Sequence, residues 1–327
     1  MMKHRLFGFV ALAGIALGSM ATSGTAMAQA AYPDRPIKVL VPFGPGSAPD
    51  TLTRLITSKM QTELGQPFVI DNRPGAGGAI GTAVAARLPA DGYNIAMVGS
   101  PAVIAMEIRK EPGFDIFKDF VAIGAMTDFV NVAVVSGKLN VSTVAELVAM
   151  AKAQPGKLNC ASAGISTPSH LACETFKARH GIDTVHVPFT STPPALPALF
   201  QNDVQFAFFP APEIAQHVQS GQIKAIAMTR DKRWPPLPNV PLATAADVRL
   251  NVGGWIGLMS PVGTPQPIID RLNAVLQKAL AEPDVQEAAV RAGGGVLLGP
   301  PSLLRQVAER ELVEVKEAVA AAKIEKM

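Results

Sequence analysis

Long hydrophobic runs, nucleotide motifs and strong charge are all missing from the body of this 327-residue chain. Beyond the N-terminus no stretch reaches about eighteen apolar residues without a charge, which excludes a bundle of membrane-spanning helices. Lys and Arg number 29 against 26 Asp and Glu. A balance so close to neutral leaves no electrostatic footprint for nucleic acid. No Gly-Lys-Ser or Gly-Lys-Thr occurs, so there is no P-loop. Neither His-Glu-x-x-His nor Gly-x-Ser-x-Gly nor Ser-x-x-Lys is present, which removes the common signatures of zinc peptidases and serine hydrolases. The histidines beyond the N-terminus, His170, His180, His186 and His217, are scattered without metal-ligand spacing. No metal and no cofactor are therefore expected.

What is present begins at the N-terminus. Lys3 and Arg5 precede an apolar run from Leu6 to Gly18, followed by small residues ending in Ala26-Met27-Ala28 or Ala28-Gln29-Ala30. A basic head, an apolar centre and a small-x-small exit make a secretory signal peptide over residues 1–30. The expected location is the periplasm, with about 297 residues left after cleavage. An exported chain permits disulfides. Cys160 reads as a strand residue, however, and Cys173 as a helix residue one β–α unit on. Packed elements lie about 10 Å apart axis to axis, so two buried free thiols are favoured over a bridge.

The remaining chain repeats one theme: an apolar β-branched run, a Gly/Pro/Ser loop, then an alanine-rich amphipathic segment. Examples are IKVLV–PFGPGSAPD–TLTRLITSKM and FVI–DNRPGAGGAIG–TAVAARL. Such alternation implies α/β architecture with parallel strands and helices on both faces. Right-handed crossovers then bring every β-to-α loop to the carboxyl rim of its sheet, where ligands bind. Two blocks emerge, 31–125 and 126–227. The segment 228–327 is too poor in strands to stand alone and returns to complete the first. Two lobes joined by crossings near 126 and 228 should close on a ligand by hinge motion.

Two loops of the first lobe stand out. In DNRPGAGGAIG, four glycines fall within Gly75–Gly81. Glycine lets a ligand approach backbone amides, and amides at a helix start favour anions. The glycine spacing does not fit a dinucleotide fingerprint, since Ile80 occupies the third required position. A plain tight turn is the competing reading. The other loop, Phe43 to Asp50, has the same strand–glycine–helix setting, with Asp50 expected to cap a helix beginning at Thr51. Arg73 is open to two readings, an anion partner or a locally bonded side chain. The second lobe offers the hydroxyls of AGISTPSH, with His170 expected in a structural role. The cleft is thus polar, glycine-lined and without an obvious nucleophile.

In their order, YPDRPIKVLVPFGPGSAPD, DNRPGAGGAIG, PADGYNIAMVGS, PGKLNCASAGISTPSHLACETF, VHVPFTSTPPALPALFQNDVQFAF and MSPVGTPQPIIDRLN span the chain after the signal. This order resembles the Bug-type extracytoplasmic solute receptors of tripartite tricarboxylate transporters. The resemblance implies a type II periplasmic binding protein fold with two lobes and two crossings. It implies that Phe43, Gly44, Gly46, Ser47, Ala76, Gly77 and Gly78 grip one ligand carboxylate. From the second lobe it adds Ser166, Thr167, Ser169, Thr190 and the helix start at Ala195. Gln205 stands where the family often has an aspartate, which predicts tolerance of a neutral or anionic distal end if it reaches the cleft. The implied partners are a small organic acid and membrane transporter subunits, or alternatively a sensor kinase, with the receptor itself a monomer and not an enzyme. A secreted hydrolase using Ser166 or Ser169 is the remaining alternative.

Overall fold

The computed structural model describes residues 32–248 and 250–326. The expected signal peptide lies outside the described residues. The chain opens with three β–α units: Ile37–Val41 (β1) and Ala48–Leu64 (α1), Phe68–Asn72 (β2) and Ala79–Ala85 (α2), Asn94–Gly99 (β3) and Ser100–Ile108 (α3). The long strand Phe120–Ser136 (β4) follows, then Val144–Ala153 (α4). Three further units are Leu158–Ser162 (β5) with Pro168–His180 (α5), Thr184–Pro188 (β6) with Thr192–Gln201 (α6), and Phe206–Pro210 (β7) with Ala211–Gln219 (α7). Ile223–Met228 (β8) and Gly253–Pro261 (β9) come next, and the chain ends in Gln266–Ala281 (α8), Pro283–Arg291 (α9), Gly294–Val296 (β10) and Pro301–Ala322 (α10).

Strand order is β2-β1-β3-β9-β4-β7-β5-β6, with β8 and β10 also pairing β4. Parallel pairs join β1 to β2 and β3 in one lobe, and β5 to β6 and β7 in the other. The antiparallel β4 connects them. From Phe120 to Val130 it pairs β9, and from Asn131 to Ser136 it pairs β7 and β8. This handover is the first crossing.

The return differs from the expected position near 228. Trp234, Leu237 and Val240 pack with Phe209 and Met228 of the second lobe, and Val248 and Leu250 pack with Phe206 and Phe208. The second crossing therefore falls at Val252–Gly253, where β9 begins. The proline-rich segment stays behind because its few large apolar side chains fill the second lobe's core. Thr229 clips the crossings together: its buried hydroxyl lies against the carbonyls of Asn131 and Val252.

Helix α10 binds the lobes on one flank. Its Leu304 and Val315 share a core with Val103 of α3 and with Leu171 of α5. Leu171 belongs to the second lobe, so this cluster spans both. In the same region the Trp255 indole donates to Glu311 Oε2 at 2.5 Å. Burial pushes the Glu311 carboxyl up to about 7, against the hydrogen bonds from Ser100 and Trp255.

The cysteines correct the expectation of free thiols. Cys160 on β5 and Cys173 on α5 form a disulfide, with Cα atoms 6.0 Å apart. An axis-to-axis distance overstates this separation. A helix residue turned toward the sheet sits about 2.3 Å nearer than its axis. Ala161 and Ala172, both fully buried, also let the elements approach closely.

Candidate functional site: opposed loops of two lobes

The first loop is organised by Asp50, though not as the expected cap. Helix α1 begins at Ala48, and Ser47 is its N-cap, with its hydroxyl accepting from Asp50 N at 3.4 Å. Asp50 is 1 % exposed and accepts from Gly46 N at 2.8 Å, Arg54 Nε at 2.9 Å and Asn72 Nδ2 at 2.8 Å. Burial alone would raise this carboxyl. Hydrogen bonds from Arg54, Asn72 and Gly46 outweigh it and hold the group below the ordinary carboxylate value. Asn72 also donates to Phe43 O at 2.9 Å, so one buried carboxylate and one amide fix the whole turn.

The second loop passes through a single 3-10 turn at Ala76–Gly78. Gly75, Gly77 and Gly78 all have positive φ, and Ala76 joins them at 51°. That run explains the glycine density, because side-chain-bearing residues are strained there. Gly81 serves packing: an added Cβ would lie 2.4 Å from Arg73 O. Arg109 Nη2 donates to Ala76 O at 3.2 Å and steadies the loop from α3. Arg73 takes the local reading, paired with Asp71 at 3.0 Å.

Internal hydrogen bonds occupy the amides of Gly46, Ser47 and Gly78. Among the described residues, the amides of Gly44, Ala76 and Gly77 have no protein partner. These three members of the expected grip keep free amides.

Across the cleft, Ile165 O and Ser166 Cβ lie 3.2 and 3.5 Å from the position a Cβ on Gly77 would take. The lobes meet at this point. Beside it, a narrow crevice is lined by Pro42, Phe43, Gly77, Gly78, Gly99 and Pro101 among others. The crevice leaves no room for even a water-sized group, so entry of a ligand requires the lobes to part.

The second-lobe loop is tied to itself. Ser169 Oγ accepts from Ala163 N at 2.9 Å and contacts Thr167 Oγ1 at 2.8 Å. Thr167 caps α5 by accepting from His170 N at 3.3 Å. Ser166 is the exception: it holds φ of 68°, is fully buried, and its hydroxyl has no partner. Thr190 is exposed on the same rim after β6. Ala195 is buried in the core, but Pro193 and Pro194 carry no N–H, so its amide is the next one after Thr192 in α6.

Gln205 does not join them. It precedes β7, at the amino end of the strands and away from this rim. Its side chain accepts from Asn159 N at 2.8 Å and donates to Asn202 O at 2.6 Å. Locked there, it has no route to a ligand, and the specificity expected of it falls away.

A feature that the sequence did not announce lies beneath the second-lobe loop. His170 and His186 stack with ring centroids 4.5 Å apart. Burial pushes the His186 imidazole down to about 4, and burial lowers His170 too. His186 Nε2 lies 2.7 Å from Ser162 Oγ. This serine–histidine pair is not offered to a substrate, because Ser162 is fully buried and also accepts from Gly164 N. The one visible signal was the helical spacing of His170 and Glu174.

The arrangement is a rim of free amides and helix starts facing a second rim that carries the unpartnered hydroxyl of Ser166. Free amides at helix starts are suited to an anion. The family profile described as "Tripartite tricarboxylate transporter family receptor" matches residues 52–316. The chain belongs to this family. Protein BugT of Bordetella pertussis is 32 % identical over 300 residues, covering 91 % of this chain and 90 % of BugT. A solved Rhodopseudomonas palustris protein, Rpa4515 with adipate, has a TM-score of 0.82 at 28 % identity, covering 90 % of this chain and all of that one. MatC of the same organism, with bound malate, has a TM-score of 0.77 at 30 % identity, covering 88 % of this chain and all of MatC. The protein is thus a Bug-type solute-binding receptor.

Proposed function

We propose that this receptor captures a small organic carboxylate in the periplasm and delivers it to the membrane subunits of a tripartite tricarboxylate-type transporter. A short dicarboxylate is the favoured class, in line with the malate and adipate of the related structures. The carrying observation is the trio of unpartnered amides at Gly44, Ala76 and Gly77, set against Ser166 where the lobes meet. One carboxylate sits on the amides. The second lobe closes over the remainder and completes the surface that a transporter reads. This function asks for no bond-making chemistry.

Thermal-shift screening of the purified protein against organic acids and their neutral amides tests the reading. A ligand that binds only the native state raises Tm. Dicarboxylates are expected to stabilise and the matching diamides are not; equal stabilisation by both overturns the anion grip. Gly77→Val adds a β-branched side chain at φ +67 and against Ile165 O. Left-handed strain of about 1–2 kcal/mol is relieved by displacing the loop and its free amide, and restoring the grip on binding should cost roughly five- to thirtyfold in affinity. Unchanged affinity would remove this loop from the site.

A further inference from the structure

His170, Glu174 and His186 each place one potential ligand atom within 4.8 Å of the other two. His170 and Glu174 are one turn apart on α5, and His186 comes from β6, in register with Cys160 of β5. The Cys160–Cys173 disulfide ties α5 to β5, so the helix and sheet carrying the three residues are covalently linked beside them.

Two further observations point to a ligand. His170 is 6 % exposed, and its Nδ1 is buried without a hydrogen-bond partner. Leaving such an atom unpaired is costly, and native structures seldom do so without a reason. Ser162 Oγ, 2.7 Å from His186 Nε2, is the kind of outer hydrogen bond that orients a metal-binding imidazole and directs its other nitrogen to the ion.

We infer that His170, Glu174 and His186 form a site for a divalent transition metal of the zinc or nickel class, under the ligand loop of the second lobe. Two imidazoles and a carboxylate suit such ions; calcium and magnesium take mainly oxygen donors. Zinc ligands at about 2.0–2.1 Å from the ion in a tetrahedron lie roughly 3.3 Å apart, so the three side chains draw together on binding. Glu174, only partly buried, has the freedom to do so. The site also reaches the ligand loop. Ser162 accepts from Gly164 N, and the backbone of His170 donates to the cap Thr167. Metal occupancy therefore stiffens the segment that faces Gly77.

The test uses purified protein free of tag histidines, stripped with a chelator and titrated with Zn²⁺ or Ni²⁺ alone. Calorimetry is expected to show one equivalent bound and Tm to rise, with reversal by chelator. Glu174→Gln and His186→Ala should each weaken binding at least about tenfold. The Glu174 change lies at a partly exposed position, so it tests the site even if His186→Ala fails to fold. The positive charge of Lys177, one turn on from Glu174, opposes a cation beside His186, so Lys177→Gln should tighten metal binding. Absence of binding below ~1 mM, or equal affinity in Glu174→Gln, overturns the proposal.

Discussion

The two rims of the cleft are built on the same plan, a parallel strand running through a loop into a helix start, yet they use opposite means. The first lobe spends glycines to leave amides unoccupied at Gly44, Ala76 and Gly77. The second lobe consumes its own polar groups: Ser162, Thr167 and Ser169 are all bonded within the loop or to His186. Ser166 is the buried hydroxyl left free there, while Thr190 stands exposed on the same rim. A backbone grip reads a charge that many ligands share. A rim whose hydroxyls are mostly locked offers few adjustable contacts and a fixed shape. On the proposed function, recognition of the common group and discrimination among ligands would then fall to different lobes.

The second lobe's rigidity is covalent, and removing it should produce the largest effect. The bridge closes a loop with a sequence separation of 13 between Cys160 and Cys173. Loops of that size are stabilised by about 3 kcal/mol, which corresponds to roughly 6–12 °C in Tm. The double variant Cys160→Ala, Cys173→Ala should show such a drop in a thermal scan. Gly77 and its neighbours are untouched by it. If the drop is absent, the second lobe owes its fixed shape to packing alone, and the contrast between the lobes loses its covalent half.

Asp50 is the corresponding support in the first lobe. Asp50→Asn discards a buried charge that accepts from Gly46, Arg54 and Asn72. Hydrogen bonds to charged groups contribute about 1.5–3 kcal/mol, so a loss near 2 kcal/mol is expected, read by denaturant unfolding. The sign of its pH dependence follows from the lowered carboxyl. The unfolded chain takes up the proton first as pH falls. The stabilisation is therefore complete above the ordinary Asp value of about 3.9 and disappears as pH drops through the lower folded value. The variant should lack that acid-side slope; an identical slope would assign it to other carboxylates.

Much of this comparison was legible in the chain itself. Backbone demands announce themselves as glycine, so the run from Gly75 to Gly81 marked its loop, and strand–loop–helix alternation placed that loop on the correct rim. Side-chain roles were harder. Both Ser47 and Asp50 are residues that cap helices, and nothing local decides between them; burial of Asp50 under Asn72 and Arg54 decides it. Gln205 was misplaced by resemblance, though topology already argued otherwise, because it precedes its strand while the rim follows the strands. The segment around Trp234 was assigned with 228–327 to the first lobe, yet its aromatic and leucine side chains belong to the second core. His170 and His186 sit on separate elements, and only the register of β5 with β6 brings them together.

The smallest expected effect is the sharpest test of the division between the rims. Ser166→Ala removes a hydroxyl with no internal partner, so no protein hydrogen bond is lost. The backbone there already holds φ of 68°, a strain that serine and alanine share closely. Stability should therefore change little. A neutral hydrogen bond to a ligand is worth about 1 kcal/mol, which predicts roughly a fivefold loss in affinity for a ligand that uses the hydroxyl. Titration of two acids that differ only at the distal end separates the lobes' roles. If the hydroxyl discriminates, the variant changes their ratio. Should both acids weaken equally, Ser166 would be part of the common grip, and the lobes would share a task that their hydrogen bonding otherwise keeps apart.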